Sequence, residues 1–166
     1  MGPQSGANSQ SEALEVRLFH RLEASKATLA TAESCTGGLI AHRITNVSGV
    51  SAWYLGGVVA YSNELKTSLL GVEEGVLAAH GAVSEAVARQ MAERARTRFG
   101  AGVAVAVTGI AGPGGGTAEK PVGLVYLAVS GPSGTTVSRE VFEGNREQIK
   151  AKTAEKALNM LLEYLE

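Results

Sequence analysis

Apolar residues recur along this chain with two different periods, and the switches between them mark out its elements. Leu14, Val16, Leu18, Phe19 and Leu22 fall at near-helical spacing and predict a first helix. Lys26 to Ala32 then reads as a buried strand ending at Glu33, followed by a helix from about Gly38 to Asn46. The aromatic and branched run "WYLGGVVAYSN" predicts a second strand, and "ELKTSLLGV" a short helix. Ser84 has the character of an N-cap: an acid follows in the first turn, helical spacing continues through "SEAVARQMAERARTRF", and Gly100 marks the end.

"GVAVAVTG" is an apolar run too short for a helix and reads as a fully buried strand, after which "GIAGPGGGTAEKP" is a long glycine-rich loop. Two strands around Gly-Pro-Ser-Gly form an antiparallel pair. The last helix starts near Asn145 and buries Ile149, Ala154, Ala157, Leu158, Leu161 and Leu162. These elements sum to an α/β fold, a mixed sheet with helices on both faces. Residues 12–166 form one domain, and residues 1–11 read as a disordered tail.

Composition narrows the chemistry. The chain has 166 residues, with 15 Lys plus Arg against 16 Asp plus Glu. No net field draws it to nucleic acid or to an anionic membrane. One cysteine excludes an internal disulfide, and His20, His42 and His80 are too few and scattered for a metal cluster, so neither metal nor cofactor is expected. A reducing cytoplasm fits these counts. No run reaches the length of a membrane span, and the N-terminus lacks the regions of a signal peptide.

Ligands of such sheets bind beyond the carboxyl ends of parallel strands. Three predicted strand ends carry unusual polar stretches: "AESCTGG", "AYSNELK" and "VTGIAGPGGG". In the first, Ser34 is a candidate nucleophile beside a helix start, where Ser34 or Thr36 would face a developing anion and Gly37 would let a ligand approach the backbone. Ser34 and Thr36 as caps and the glycines as simple turns are the plainer alternatives. Serine needs a base. The histidines fall inside helices (His20, His42) or in a connecting loop (His80), whereas Lys66 follows the second strand closely enough to serve, or else is a solvated helix lysine. Cys35 is the rival nucleophile, or a packed small residue.

The blocks "TAESCTGGLIAHRIT", "SAWYLGGVVAYSNELKTSLLGV", "HGAVSE", "VTGIAGPGGGTAEKPVGLVYLAV" and "FEGNRE", in this order, resemble the CinA C-terminal domain family from about residue 12 onward. Its stand-alone members include nicotinamide-nucleotide amidases. The resemblance implies a three-layer α/β/α sandwich with a mixed, mostly parallel sheet, a homo-oligomer, and hydrolysis of the carboxamide of nicotinamide mononucleotide to nicotinic acid mononucleotide and ammonia in pyridine-nucleotide salvage. It implies Ser34 as nucleophile, Lys66 as its base, and Tyr61, Thr108 and Arg146 as site residues. Thr36, Gly37 and Gly109, in the same strand-end stretches, join these as candidate substrate contacts. Arg146 and the "GPGGG" loop are the candidate phosphate donors. A nucleotide-binding regulatory module and an oligomeric scaffold are the competing readings.

Overall fold

The computed structural model describes residues 12–166, and the tail expected over residues 1–11 lies outside them. Six α-helices and five strands follow in chain order among these residues: α1 Leu14–Ser25, β1 Leu29–Glu33, α2 Leu39–Thr45, β2 Tyr54–Val59, α3 Asn63–Leu70, α4 Glu74–His80, α5 Glu85–Phe99, β3 Val103–Gly109, β4 Leu124–Gly131, β5 Gly134–Val141 and α6 Arg146–Tyr164. The sheet order is β2-β1-β3-β4-β5. β1 pairs parallel with both β2 and β3, whereas β3-β4 and β4-β5 are antiparallel. Four strands therefore run one way, with β4 alone against them. The sheet is mixed, as expected, and its antiparallel half comes from the β4-β5 hairpin.

Side-chain size differs between the two faces of the sheet. Strand alternation puts Leu29, Val103, Val105, Val107, Leu127 and Val129 on one face, where they form a core with α1, α2 and α6 through residues such as Leu22, Ile40 and Leu158. The other face presents Ala30, Ala32, Ala104, Ala106 and Ala128 to Val87, Ala88, Met91, Ala92 and Ala95 of α5. Alanine against alanine lets a long helix lie close to the strands, and dispersion contacts grow with that proximity.

Three predicted boundaries shift. Lys26 adopts a left-handed conformation (φ 53°) that caps α1, so β1 begins at Leu29 rather than Lys26. β2 ends at Val59 because Ser62 caps α3, its hydroxyl accepting from the Leu65 N–H. His80 ends the short helix α4 instead of sitting in a loop; α4 has no fully buried residue, which leaves little periodic signal in its sequence. Ser84 and Gly100 cap α5 as predicted. Among the described residues no helix is long and apolar enough to cross a membrane.

α6 opens with a reciprocal cap: Asn145 Oδ1 accepts from the Gln148 N–H at 2.9 Å and Gln148 Oε1 from the Asn145 N–H at 2.8 Å. This cap fixes the start of the helix and thus Arg146, its first residue. Replacing Asn145 by Ala should cost about 1 kcal/mol of stability, a fall in Tm of roughly 2–4 °C for a chain of this size. Thermal unfolding followed by circular dichroism checks it, and an unchanged Tm would show that the cap is dispensable.

Candidate active site

β1, β2 and β3 end side by side, and the pattern of alternation decides what each end presents. Glu33 closes β1 on the same side as Leu29, facing α2. Its Oε1 accepts from the Thr36 hydroxyl at 2.6 Å and the Ile40 N–H at 2.9 Å, and its Oε2 from the Ala41 N–H at 3.1 Å. The first N–H groups of α2 are thus satisfied by a carboxylate from the chain itself. The buried acid before the turn is thus a helix cap, and it removes the start of α2 as an anion site. Thr36, 1% exposed, serves Glu33, and neither Thr36 nor Gly37 lines the pocket described below. Gly37 (φ 62°) and Gly38 (φ 102°) instead supply the left-handed turn between strand and helix. In that turn the backbone N–H groups of Cys35 and Thr36 donate to no carbonyl or side-chain oxygen among the described residues.

Ser34, one residue on from Glu33, points to the opposite side and meets Lys66. Lys66 Nζ lies 3.0 Å from Ser34 Oγ, 2.9 Å from the Ala60 carbonyl and 3.1 Å from the Tyr61 carbonyl. The β2 ladder ends at Val59, leaving these two carbonyls free for the lysine. Lys66 is 1% exposed and has no carboxylate within ion-pair distance among the described residues. Burial therefore pushes its pKa below the ordinary lysine value. A neutral lysine amine has two N–H donors and one lone pair. The protonated amine donates to all three oxygens; once neutral, it would keep its two donors for the carbonyls and turn its lone pair to the Ser34 O–H.

A pocket of about 190 Å³ opens over this pair, walled by Tyr61, Asn63, Val83, Thr108, Ala111 and Arg146, with Cys35, Ala82 and Gly109 completing it. Thr108 donates to the Ala82 carbonyl at 2.9 Å, so its hydroxyl offers the pocket only lone pairs. Gly109 is required by packing: a Cβ there would stand 2.8 Å from the Leu124 carbonyl oxygen. Arg146 reaches back from α6, donating to the Gly112 carbonyl at 2.7 Å and the Tyr61 hydroxyl at 3.0 Å. It forms no ion pair with Glu143 or Glu147 among the described residues. The glycine-rich loop thus takes part through Gly109 and Ala111 in the lining and through the Gly112 carbonyl that holds Arg146, and its glycines from 112 onward stay outside the lining.

The structure therefore brings Ser34, Lys66, Tyr61, Thr108, Gly109 and Arg146 to one pocket and leaves Thr36 and Gly37 behind the wall. Asn63 is a lining residue that the sequence reading passed over, although it stands in the same "AYSNELK" stretch as Tyr61 and Lys66. Cys35 lines the pocket but belongs to the apolar core, and burial pushes its thiol up to about 12. None of the histidines lines the pocket, and among the described residues no group of three or more His, Cys, Asp or Glu could hold a metal ion.

Comparison with known proteins identifies the family. Residues 11–165 match the family model of the CinA C-terminal domain. A CinA-like protein of Acidobacterium capsulatum is 52% identical over 154 residues, covering 93% of this chain and 37% of the relative. A putative competence-damage inducible protein of Moorella thermoacetica is 55% identical over 140 residues, 84% of this chain and 34% of the relative. The chain thus spans about a third of the length of these relatives. Among solved structures, the competence/damage inducible protein CihA from Agrobacterium tumefaciens aligns with a TM-score of 0.87 at 45% identity, covering 90% of this chain and 92% of that one. A CinA superfamily protein from Enterobacter cloacae aligns at 0.89 and 32% identity over 100% and 99%. On sequence and on structure alike, this chain belongs to the CinA C-terminal domain family.

Proposed function

We propose that this domain is an amidohydrolase that converts nicotinamide mononucleotide to nicotinic acid mononucleotide and ammonia, with Ser34 as nucleophile and Lys66 as general base. The observation that carries the reading is the 3.0 Å contact between Ser34 Oγ and a buried lysine amine that has no carboxylate within ion-pair distance among the described residues. Ser34 Oγ attacks the carboxamide carbon while its proton passes to the Lys66 lone pair. The carbonyl oxygen becomes an oxyanion, for which the backbone N–H of Cys35, a lining residue next to Ser34, is a donor with no carbonyl partner among the described residues. Lys66 then returns the proton to the leaving nitrogen, and ammonia departs. Water, deprotonated by the same amine, cleaves the acyl-serine and regenerates both groups.

Supporting contacts follow from the lining. Thr108, with lone pairs toward the pocket, can accept from the carboxamide N–H₂, and Arg146 has donors beyond those spent on Gly112 and Tyr61. Cys35 is a poor alternative nucleophile because its thiol stays protonated at neutral pH. The expected homo-oligomer has support in an apolar surface next to the site: edge strand β2 exposes Leu55 and Val59, and α3 exposes Leu65 and Leu69.

Ammonia release from nicotinamide mononucleotide is the direct test. Ser34→Ala should lower it by about 10³-fold or more and Lys66→Ala by about 10²-fold or more. Both variants should keep native circular dichroism and near-native mononucleotide binding by calorimetry. Binding without turnover in the unmodified protein would favour the regulatory module instead. Near-normal activity in Ser34→Ala would remove the nucleophile assignment.

Cys35 should resist iodoacetamide in the native protein at pH 8 and react only after unfolding, as read by mass spectrometry. Rapid native alkylation would reopen the choice of nucleophile.

The pH dependence has a definite sign. A base must be unprotonated to act, so kcat/KM should rise with pH and level off once Lys66 is neutral. Burial places that step below the ordinary lysine value of 10.5. A kcat/KM that falls with rising pH across the neutral and mildly alkaline range would contradict a lysine base.

A further inference from the structure

Arg146 and Lys150 stand at i and i+4 on α6, side by side on the helix surface. Arg146 lines the pocket. Lys150 extends over the β1-α2 turn, its Nζ 3.6 Å from where a side chain on Gly37 would begin. It is half-buried, and among the described residues its ammonium has neither an ion-pair partner nor a hydrogen-bond acceptor. Its charge is felt at Cys35, in the pocket wall.

The other cations near the pocket are already engaged. Lys66 is enclosed by three oxygens, and Lys120 donates to the His80 carbonyl at 2.6 Å. Arg89 is shared between Glu85 and the Thr135 carbonyl. Lys120 and Arg89 line a wider hollow of about 530 Å³ beyond Val83, but that hollow also contains Glu85. The pocket over Ser34, at about 190 Å³, is smaller than the usual enclosure of a whole small-molecule ligand. With the carboxamide at Ser34, the phosphate at the opposite end of a mononucleotide has to cross the rim. One turn along α6 from Arg146 stands Lys150, over Gly37, which has no side chain to block the way.

We propose that Lys150 and Arg146 together hold the substrate's phosphate on the outer wall of the pocket, above Gly37, and that this pair sets the preference for mononucleotide over riboside. The proposal rests on the mononucleotide reading above. Arg146 brings the forked donors left after Gly112 and Tyr61, and Lys150 adds a compact point charge.

Calorimetric binding to nicotinamide mononucleotide, its riboside and ribose 5-phosphate tests the subsite, alongside ammonia release. Lys150→Ala should weaken both phosphorylated ligands by about tenfold or more, with riboside binding unchanged. Lys150→Arg should restore most of the loss, and Lys120→Ala should bind all three ligands like the unmodified protein. In turnover, Lys150→Ala should raise KM for the mononucleotide with kcat retained. The subsite is refuted if Lys150→Ala binds the phosphorylated ligands normally, if it loses the riboside equally, or if Lys120→Ala suffers the loss instead. The two proposals fail separately. Lys150-dependent binding of ribose 5-phosphate without ammonia release overturns the reaction and keeps the subsite, and ammonia release indifferent to Lys150 does the reverse.

Discussion

The burial of the Lys66 amine among neutral oxygens is the constraint on which the site depends. An ammonium taken out of water is costly unless a carboxylate accompanies it, and here the partners are two carbonyls and a hydroxyl. Such surroundings satisfy the N–H donors without locking in the charge. They exist because β2 stops at Val59, so that Ala60 and Tyr61 keep carbonyls free of the ladder, and because Ser62 starts α3 at once, bringing Lys66 round in its first turns. A longer strand would have spent the Ala60 carbonyl on β1, since the Ala60 N–H already donates to the Glu33 carbonyl on that side.

The two faces of the sheet keep opposite charges apart. Glu33 and Ser34 are neighbours in sequence, yet strand alternation turns the carboxylate toward α2 and the hydroxyl toward α3. On one side the carboxylate caps a helix; on the other the lysine meets only neutral groups. Were both residues on the same face, the carboxylate would pair with Lys66 and hold the amine protonated. The alanine-lined face has a related role, since small side chains on β1 and β3 let α5 pack closely and leave Ser34 and Thr108 at the edge of that packed layer.

The pocket rim is assembled from distant parts of the chain. Arg146 opens α6 and bonds to Tyr61, 85 residues earlier, while gripping Gly112 of the glycine-rich loop. This one guanidinium links the second strand end, the third strand end and the last helix. Every lining residue lies inside the portion that matches the family model.

Much of this was legible in the sequence, for local reasons. Periodicity located β3 and the long helices α1, α5 and α6, and cap chemistry at Ser84 and Gly100 placed the ends of α5, because a cap is a contact between near neighbours. The polar stretches at three strand ends marked the site, and the resemblance singled out Ser34, Lys66, Tyr61, Thr108 and Arg146 within it. What tertiary structure alone decided was direction and pairing. Thr36 reads as a ligand contact until Glu33 is seen to claim its hydroxyl, and Lys66 reads equally as solvated or buried until β2 is seen to end beneath it. Lys150 gave no signal as one lysine among several on α6. Only packing α6 against the β1-α2 turn sets its amine over Gly37, because a contact across more than a hundred residues leaves no local periodicity to read.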